Sequence, residues 1–335
     1  MSVRDLLIVG AGPAGLATAI AARHQGVDAL VIDQGTVADG IRRFPTHMTF
    51  FTTPPLLEIG GLPFTTPHEK PSRLEAWRYY RRAAELSQVA MVLRERVTAV
   101  EPDTHDGEHV LVVTSVDAGG VSRARSARAV ALAMGYYDQP NRLGVPGEDL
   151  PHVSHYYAEA APYYRQRVVV VGGKNSACDT ALDLYRGGAQ VTLVHRGATL
   201  GESVKYWVRP DIDNRIAEGS IAAHFESELV SIGPREVQVR HRTTGAVRAI
   251  GAEAVFLMTG YQADHAFLER CGVRLHPETR VPEHDPATNE TNVPGLYIAG
   301  GQLAGVRTGS VFIENGRLHG EVIARAVAAR LSARG

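Results

Sequence analysis

Leu6-Leu7-Ile8-Val9-Gly10-Ala11-Gly12-Pro13-Ala14-Gly15 opens the chain and decides its fold. Four apolar residues read as a buried strand, the glycines as a tight turn, and Leu16 to Ala22 as a helix. Gly10 permits the sharp turn, Gly12 lets a pyrophosphate approach the backbone, and Gly15 lets the helix pack closely on the strand. The helix start offers unpaired N–H groups and a partial positive charge to phosphates. A second strand, Ala29-Leu30-Val31-Ile32, ends in Asp33. That acid comes about 18 residues after the last glycine, near the spacing of one that holds a ribose hydroxyl. Strand, glycine turn, helix, strand and terminal acid in this order predict a dinucleotide-binding unit rather than an ordinary βαβ unit.

The same pattern returns near mid-chain. Arg167-Val168-Val169-Val170-Val171 runs into Gly172-Gly173-Lys174-Asn175-Ser176-Ala177, a helix follows to about Tyr185, and the strand Gln190–Val194 ends at His195-Arg196. Two such units imply two nucleotides and an α/β fold with two Rossmann-like, three-layer ββα domains. Gln139-Pro140-Asn141-Arg142-Leu143-Gly144-Val145-Pro146-Gly147 lacks periodicity and is rich in turn formers, so it marks a crossover. Val255-Phe256-Leu257-Met258-Thr259-Gly260 matches Val130-Ala131-Leu132-Ala133-Met134-Gly135, as if both were crossing points. The expected domains are therefore 1–138, 139–254, and 255–335 returning to the first. Within the first, Ser72 with Glu75 has capping-box spacing for a helix to Leu86. Ala90–Leu93, Val97–Val100 and Val110–Thr114 read as a meander, and Ala129–Met134 as an apolar strand. Phe44 to Thr53 has neither strand nor helix period and reads as a structured loop facing the ligand edge of the sheet.

Composition narrows the function. The 335 residues are 44% hydrophobic and 21% charged, which suits an ordinary globular core. A net charge of -1 argues against nucleic acid as the main partner. No apolar run approaches the roughly 18 residues of a membrane span. The first strand begins soon after Met1, leaving no room for a signal peptide, so a cytoplasmic location is expected. Cys178 and Cys271 are the two cysteines and form neither a CxxC nor a disulfide framework. No metal spacing is present.

The two units differ at the end of their second strands. A carboxylate such as Asp33 bonds a ribose diol and repels a 2′-phosphate, whereas the guanidinium of Arg196 pairs with that phosphate. The second site is expected to take NADPH, with Gly172, Gly173, Lys174, Asn175, Ser176, His195, Arg196, Lys205 and Gly260 around it. Lys174 stands where the fingerprint has its second glycine, and its ammonium would help the pyrophosphate. The first site is then expected to take FAD. NADPH would pass hydride to that flavin.

With these residues in view, the chain resembles the thioredoxin-reductase-like flavoproteins, and within them the bacillithiol-disulfide reductases. The marks are Phe44-Pro45-Thr46-His47-Met48-Thr49-Phe50-Phe51, Leu57-Glu58-Ile59-Gly60, Val145-Pro146-Gly147-Glu148-Asp149-Leu150-Pro151, Ser154-His155-Tyr156-Tyr157, Gly172-Gly173-Lys174-Asn175-Ser176, Met258-Thr259-Gly260-Tyr261 and Phe312-Ile313-Glu314-Asn315-Gly316-Arg317. The resemblance implies the class II pyridine nucleotide–disulfide oxidoreductase architecture and a homo-oligomer. It implies FAD contacts at Gly10, Gly12, Pro13, Ala14, Gly15, Asp33, Gln34, His47, Val97, Met134, Gly135, Gly300, Gly301 and Ile313. The acceptor it implies is a low-molecular-weight disulfide such as bacillithiol disulfide. Three features depart from the family. The CxxC of thioredoxin reductases is missing beside the second glycine turn, Ala14 replaces the cysteine usual in the bacillithiol subgroup, and Gly301-Gln302 and Arg307-Thr308-Gly309-Ser310 differ from relatives. No catalytic residue is assigned; His47 is a weak candidate for contact with flavin or substrate. Cys178 and Cys271 are expected to be core residues. A ferredoxin or flavodoxin reductase of the same fold, or a flavin-binding sensor without turnover, would fit the same motifs.

Overall fold

A computed structural model describes residues 3–333, so Met1 and Gly335, at the outer ends of the expected domains, lie outside it. The chain divides into two compact units. One comprises the N-terminal stretch to Arg43, then Met48–Gln139, and the chain from Tyr261 onward. The other comprises Phe44–His47 and Pro140–Gly260.

The first unit begins with β1 (Arg4–Val9), α1 (Pro13–His24) and β2 (Ala29–Asp33), as the opening motif predicts. A short α2 (Asp39–Arg42) and α3 (Arg73–Leu86) precede β3 (Met91–Leu93), β4 (Glu95–His105), β5 (Glu108–Asp117) and β6 (Ser122–Leu132). β2 and β6 flank β1 in parallel register, Leu6 facing Ala29 on one side and Ala129 on the other. β3 pairs parallel with β2, so it belongs to this sheet and not to the meander expected for it. The meander is β4–β5–β6. β6 starts seven residues before the expected Ala129, because its first half, rich in Arg and Ser, pairs with β5 on an exposed flank.

The apolar run of β1 is buried on both faces, as a parallel strand covered on both sides must be. Leu7 and Val9 pack with Val97, Val100, Leu111 and Val113 from the meander. Leu6 and Ile8 pack with Ala19 of α1. The layers are therefore meander, parallel sheet and helices. At α3, Ser72 forms the full capping box: its hydroxyl accepts the Glu75 N–H, and Glu75 accepts the Ser72 N–H at 2.8 Å.

The second unit repeats this plan with β7 (Val153–Ser154), β8 (Arg167–Val171), α4 (Asn175–Arg186), β9 (Gln190–Val194), α5 (Arg209–Ala217) and β10 (Ala222–His224). A three-stranded antiparallel sheet of β11 (Ser227–Ile232), β12 (Glu236–His241) and β13 (Val247–Gly251) supplies its outer layer, and β14 (Ala254–Leu257) closes it. The parallel sheet runs β10-β9-β8-β14-β7. Val169 and Val171 pack toward Leu229, Val237 and Val239, while Val168 and Val170 pack toward α4.

One expected boundary is corrected here. Val255 was read as the return to the first domain. Instead β14 pairs with β8 along its length, Ala254 opposite Val168 and Leu257 opposite Val171. It stands to β8 as β6 stands to β1, which is why the two sequences match. The second unit ends at Gly260 rather than 254, and it also takes Phe44–His47. Beyond Tyr261, α6 (His265–Arg270), β15 (Leu296–Ile298), α7 (Ile313–Gly316) and α8 (His319–Ser332) complete the first unit. β15 pairs with the C-terminal half of β6, where β5 has peeled away. α8 presses Gly320 against α1, where a Cβ would lie 2.6 Å from the Ala17 carbonyl carbon.

Ser72→Ala removes the hydroxyl half of the capping box and should lower stability by about 1 kcal/mol. The check is the urea unfolding midpoint of the first unit's transition; an unchanged midpoint would show that the cap contributes nothing.

Candidate functional site

Each unit carries a glycine turn at the carboxyl end of its first parallel strand, where open α/β sheets bind ligands. Gly10 has φ +110°, and a Cβ there would lie 2.4 Å from the Ala133 carbonyl oxygen, at the end of β6. Gly172 has φ +148°, and its Cβ would lie 2.6 Å from the Met258 carbonyl oxygen, at the end of β14. The Gly10 N–H donates to Ile32 O and the Gly172 N–H to Val194 O, at 2.8 and 2.9 Å. Both turns are thus clamped between two neighbouring strands. Gly15 is forced as well, since its Cβ would meet Gly10 O at 1.9 Å.

Gly12 differs from these. It has no steric need to be glycine toward the protein, because a Cβ there would meet no atom within 4 Å. It caps a 12-residue helix that has no side-chain cap and no acid in its first turn. Open space over free helix N–H groups fits a pyrophosphate. α4 likewise has 12 residues, an uncapped start at Lys174 and no acid in its first turn. Lys174 is exposed, and Ser176 is exposed beside it.

The ends of the second strands differ as the sequence predicts, with detail it did not supply. Asp33 accepts from the Ala11 and Gly35 N–H groups, both at 2.6 Å. Burial pushes its pKa up, partly countered by those two bonds. Its carboxylate thus braces the glycine turn and keeps further lone pairs for a ribose diol. In the second unit the His195 ring takes this place. It lies so close to the turn that a Gly173 Cβ would sit 2.3 Å from it. Burial, then the Arg196 charge, hold His195 below its usual value, so the ring is neutral. Arg196 is exposed and has no ion-pair partner among the described residues.

Lys205 does not stand free beside it. Its ammonium pairs with Asp179 of α4 at 2.9 Å, so its charge is largely committed. Its N–H and the Ser203 carbonyl are held by the Asn175 side chain. Sequence reading missed Arg242, whose guanidinium donates to the Arg196 carbonyl at 3.1 Å from 46 residues away. No local spacing could have revealed it. Gly260 (φ +88°) accepts the Asn141 N–H at 2.9 Å at the end of β14's turn.

Around the first turn, the Gln34 amide bonds Asp138 at 2.9 Å. A groove of about 510 Å³ lies there, lined by Gln34, Gly35, Arg94 and Arg96 among others. Arg94 and Arg96 were also missed. The Val97 side chain sits in the core, which leaves its backbone to meet a ligand. His47 lies in the stretch Phe44–His47. It belongs to the second unit, its Nε2 lies 3.5 Å from Asp183, and that carboxylate also takes the Tyr157 hydroxyl. The loop from Phe44 to Thr53 divides between the units: the Thr46 N–H donates to Ala158 O, and the Phe50 N–H donates to Pro71 O in the first unit.

The third glycine pair gathers behind Ala14. Gly300 has φ +64°, and its Cβ would lie 2.8 Å from the Ala14 Cβ. Gly316 approaches within 3.1 Å of the Gly300 Cα, counted from its ideal Cβ, and Gly301 faces the Tyr136 ring. Gln302 donates to the Gly135 carbonyl, next to Met134. Ile313 opens α7, which Asn315 fastens by accepting the Phe312 N–H and donating to Ser310 O. Arg317 reaches the Glu58 carbonyl at 2.6 Å, fixing the Leu57–Gly60 segment. His319 accepts the Gly300 N–H on Nδ1 at 3.0 Å.

His155 lies 3.2 Å from buried Glu148, which accepts the Leu143 and Gly144 N–H groups and so orders the crossover loop. Both cysteines are buried, as expected; burial pushes Cys178 up to about 12 and Cys271 to about 11. Neither forms a thiolate near neutral pH. Among the described residues no cluster could hold a metal ion, and no helix is long and apolar enough to cross a membrane.

The His319 contact gives a pH prediction. Burial, then His284, depress its pKa below 6.5. The stabilisation from neutral His319 is therefore complete above that value and is lost as pH falls below it. His319→Asn keeps an acceptor for Gly300 but cannot titrate. Its unfolding free energy should fall less than wild type's between pH 7 and 5, by about 1 kcal/mol, one hydrogen bond. Parallel pH profiles would remove His319 from this role.

Comparison with known proteins agrees with this geometry. Residues 7–300 match the family model described as pyridine nucleotide-disulphide oxidoreductase. The chain is 40% identical over 324 residues to the bacilliredoxin reductase Bdr of Bacillus subtilis, covering 97% of each. It is 30% identical over 305 residues to a ferredoxin–NADP reductase of Ignicoccus hospitalis, covering 89% of this chain and 90% of that one. Among solved structures, the bacillithiol disulfide reductase Bdr of Bacillus cereus superposes with a TM-score of 0.94 at 39% identity, over 98% of this chain and all of that one. A thioredoxin reductase of Lactococcus lactis shares the fold with a TM-score of 0.74 at 21% identity, over 99% of this chain and all of that one. The chain belongs to the pyridine nucleotide-disulphide oxidoreductase family and is a flavin oxidoreductase that also uses a nicotinamide nucleotide.

Proposed function

We propose that the protein is an NADPH-dependent FAD oxidoreductase that reduces a low-molecular-weight disulfide of the bacillithiol class, without an enzyme thiol. The observation that carries the cofactor assignment is the contrast at the ends of β2 and β9. Asp33 braces the first turn with a carboxylate suited to a ribose diol, while the second turn has neutral His195 and a free Arg196 guanidinium suited to a 2′-phosphate. FAD, when bound, would supply the hydride and two-electron chemistry. The chain's own residues bind and orient. Gly12 and the start of α1 receive one pyrophosphate, and the Lys174 end of α4 receives the other. Gly300, Gly316 and Ala14 form a close-packed wall without a nucleophile.

The disulfide substrate is supported by the two Bdr relatives. The balanced reaction is NADPH, a proton and one disulfide giving NADP⁺ and two thiols. Disulfide exchange through the enzyme would need a thiolate. Cys178 and Cys271 supply none, and Ala14 cannot. That same observation favours a second reading, a reductase of ferredoxin or flavodoxin, to which the Ignicoccus relative lends support.

The experiment is an acceptor screen on flavin-loaded protein under NADPH. Bacillithiol disulfide is expected to reoxidise the flavin; reoxidation by ferredoxin or flavodoxin instead would select the second reading. Run in parallel, the Cys178→Ala, Cys271→Ala double variant should keep both flavin reduction and turnover, though a cavity at each site will cost stability. Loss of disulfide reduction with flavin reduction intact would mean that a buried cysteine is exposed during turnover. Arg196→Ala should raise the KM for NADPH on the order of 10- to 100-fold, one charge-assisted bond of roughly 1.5–3 kcal/mol, and leave NADH unchanged. Equal effects on both nucleotides would remove Arg196 from phosphate recognition.

A further inference from the structure

Gln302 is a polar residue with no accessible surface. It sits in the turn Gly300–Ala304 that follows β15. Its amide nitrogen donates to the Gly135 carbonyl, in the turn that follows β6. Its amide oxygen is buried and has no hydrogen-bond partner among the described residues. An aliphatic side chain would fill this space without burying an unpaired amide oxygen, but it would leave the Gly135 carbonyl without this donor. Buried polar groups that are only half satisfied are costly, and they persist where they hold something in place.

What the amide holds follows from strand order. β2, β1, β6 and β15 lie side by side in parallel, so their carboxyl ends form one edge. The acid that fits a ribose ends β2, and the phosphate-receiving helix follows β1. A dinucleotide laid along that edge must continue past the turns of β6 and β15. Those two turns are Gly135 (φ +67°) and Gly300 (φ +64°), and Gln302 links them. Gly135 has a conformation with many alternatives in a free chain. The amide donor removes that freedom by fixing its carbonyl.

We propose that Gln302 is a positioning residue for the flavin half of the cofactor, acting through the Gly135 carbonyl. This rests on the reading that the first unit holds FAD. Gln302→Leu keeps bulk and removes the donor. The Gly135 turn then loosens, FAD affinity weakens by about tenfold, one ordinary hydrogen bond, and the visible absorbance band and midpoint potential of the bound flavin shift. Gln302→Glu gives a second, independent readout. A protonated carboxyl can donate to Gly135, whereas a carboxylate confronts its carbonyl oxygen. FAD affinity of Gln302→Glu should therefore approach wild type at low pH and fall more steeply than wild type as pH rises.

The test is titration of apoprotein with FAD, followed by fluorescence, across pH for wild type and both variants, with spectra and potentials of the loaded forms. A weakened, spectrally shifted Gln302→Leu supports the role, and wild-type affinity, spectrum and potential in Gln302→Leu overturn it. If Gln302→Leu does not fold, the Gln302→Glu profile decides alone: a steeper fall supports the role, and a profile parallel to wild type overturns it. A lowered melting temperature without those changes also overturns it, leaving Gln302 a packing residue. Wild-type protein that takes up no FAD would overturn the FAD reading and this proposal with it; variants indistinguishable from a FAD-loaded wild type would overturn the proposal alone.

Discussion

A glycine without a side chain pressed against the last carbonyl of a neighbouring strand is the constraint on which both units depend. At Gly10 the neighbour is Ala133 O, and at Gly172 it is Met258 O. Any Cβ would collide in either place, and the positive φ adds a second reason for glycine. The contact does more than allow a turn. It brings the start of α1, or of α4, over the carboxyl edge of a sheet whose strands are buried on both faces. Free N–H groups are then aimed at that edge with no acceptor among the described residues. Such an end suits the phosphates of a dinucleotide.

Because the constraint is repeated, the differences between repeats carry the specificity. The loop after the second strand is tied to the glycine turn in both units, Ala38 to Ala11 and Gly201 to Gly173. In the first unit a carboxylate reinforces the tie. In the second an imidazole packs across it and leaves Arg196 exposed. A buried carboxylate would hold a 2′-phosphate away by charge alone, and a neutral ring does not. Lys205 is paired with Asp179, and the Arg242 guanidinium donates to the Arg196 carbonyl.

Much of this was legible in the sequence because glycine, proline and apolar runs report backbone constraints that act over a few residues. The first strand–turn–helix, the Ser72 cap and the buried cysteines are of that kind. The misreadings share the opposite cause. β14 looks like β6 because the two do the same work in different units, and similarity alone does not say which sheet a strand joins. The Arg/Ser half of β6 has no apolar period because one flank is exposed. Two placements lie beyond local pattern without being misread: the inward turn of the Val97 side chain depends on strand register, and the loop that carries His47 divides between the two units. Gln302 registered only as a departure, since its partner lies 167 residues away.

The absence of a thiol at position 14 has a structural counterpart. Ala14 packs against Gly300, whose own Cβ would come within 2.8 Å of it, and Gly300 is in turn approached by Gly316. Small residues thus meet from three elements: the start of α1, the turn after β15, and α7. Each removes atoms that a larger neighbour would need. The Gly300 N–H is held by His319, and its turn is tied to Gly135 through Gln302. The wall is therefore braced around an inert methyl group. On the proposed reading, chemistry at this place falls to the cofactor and the acceptor, and the protein's part is to keep the wall fixed.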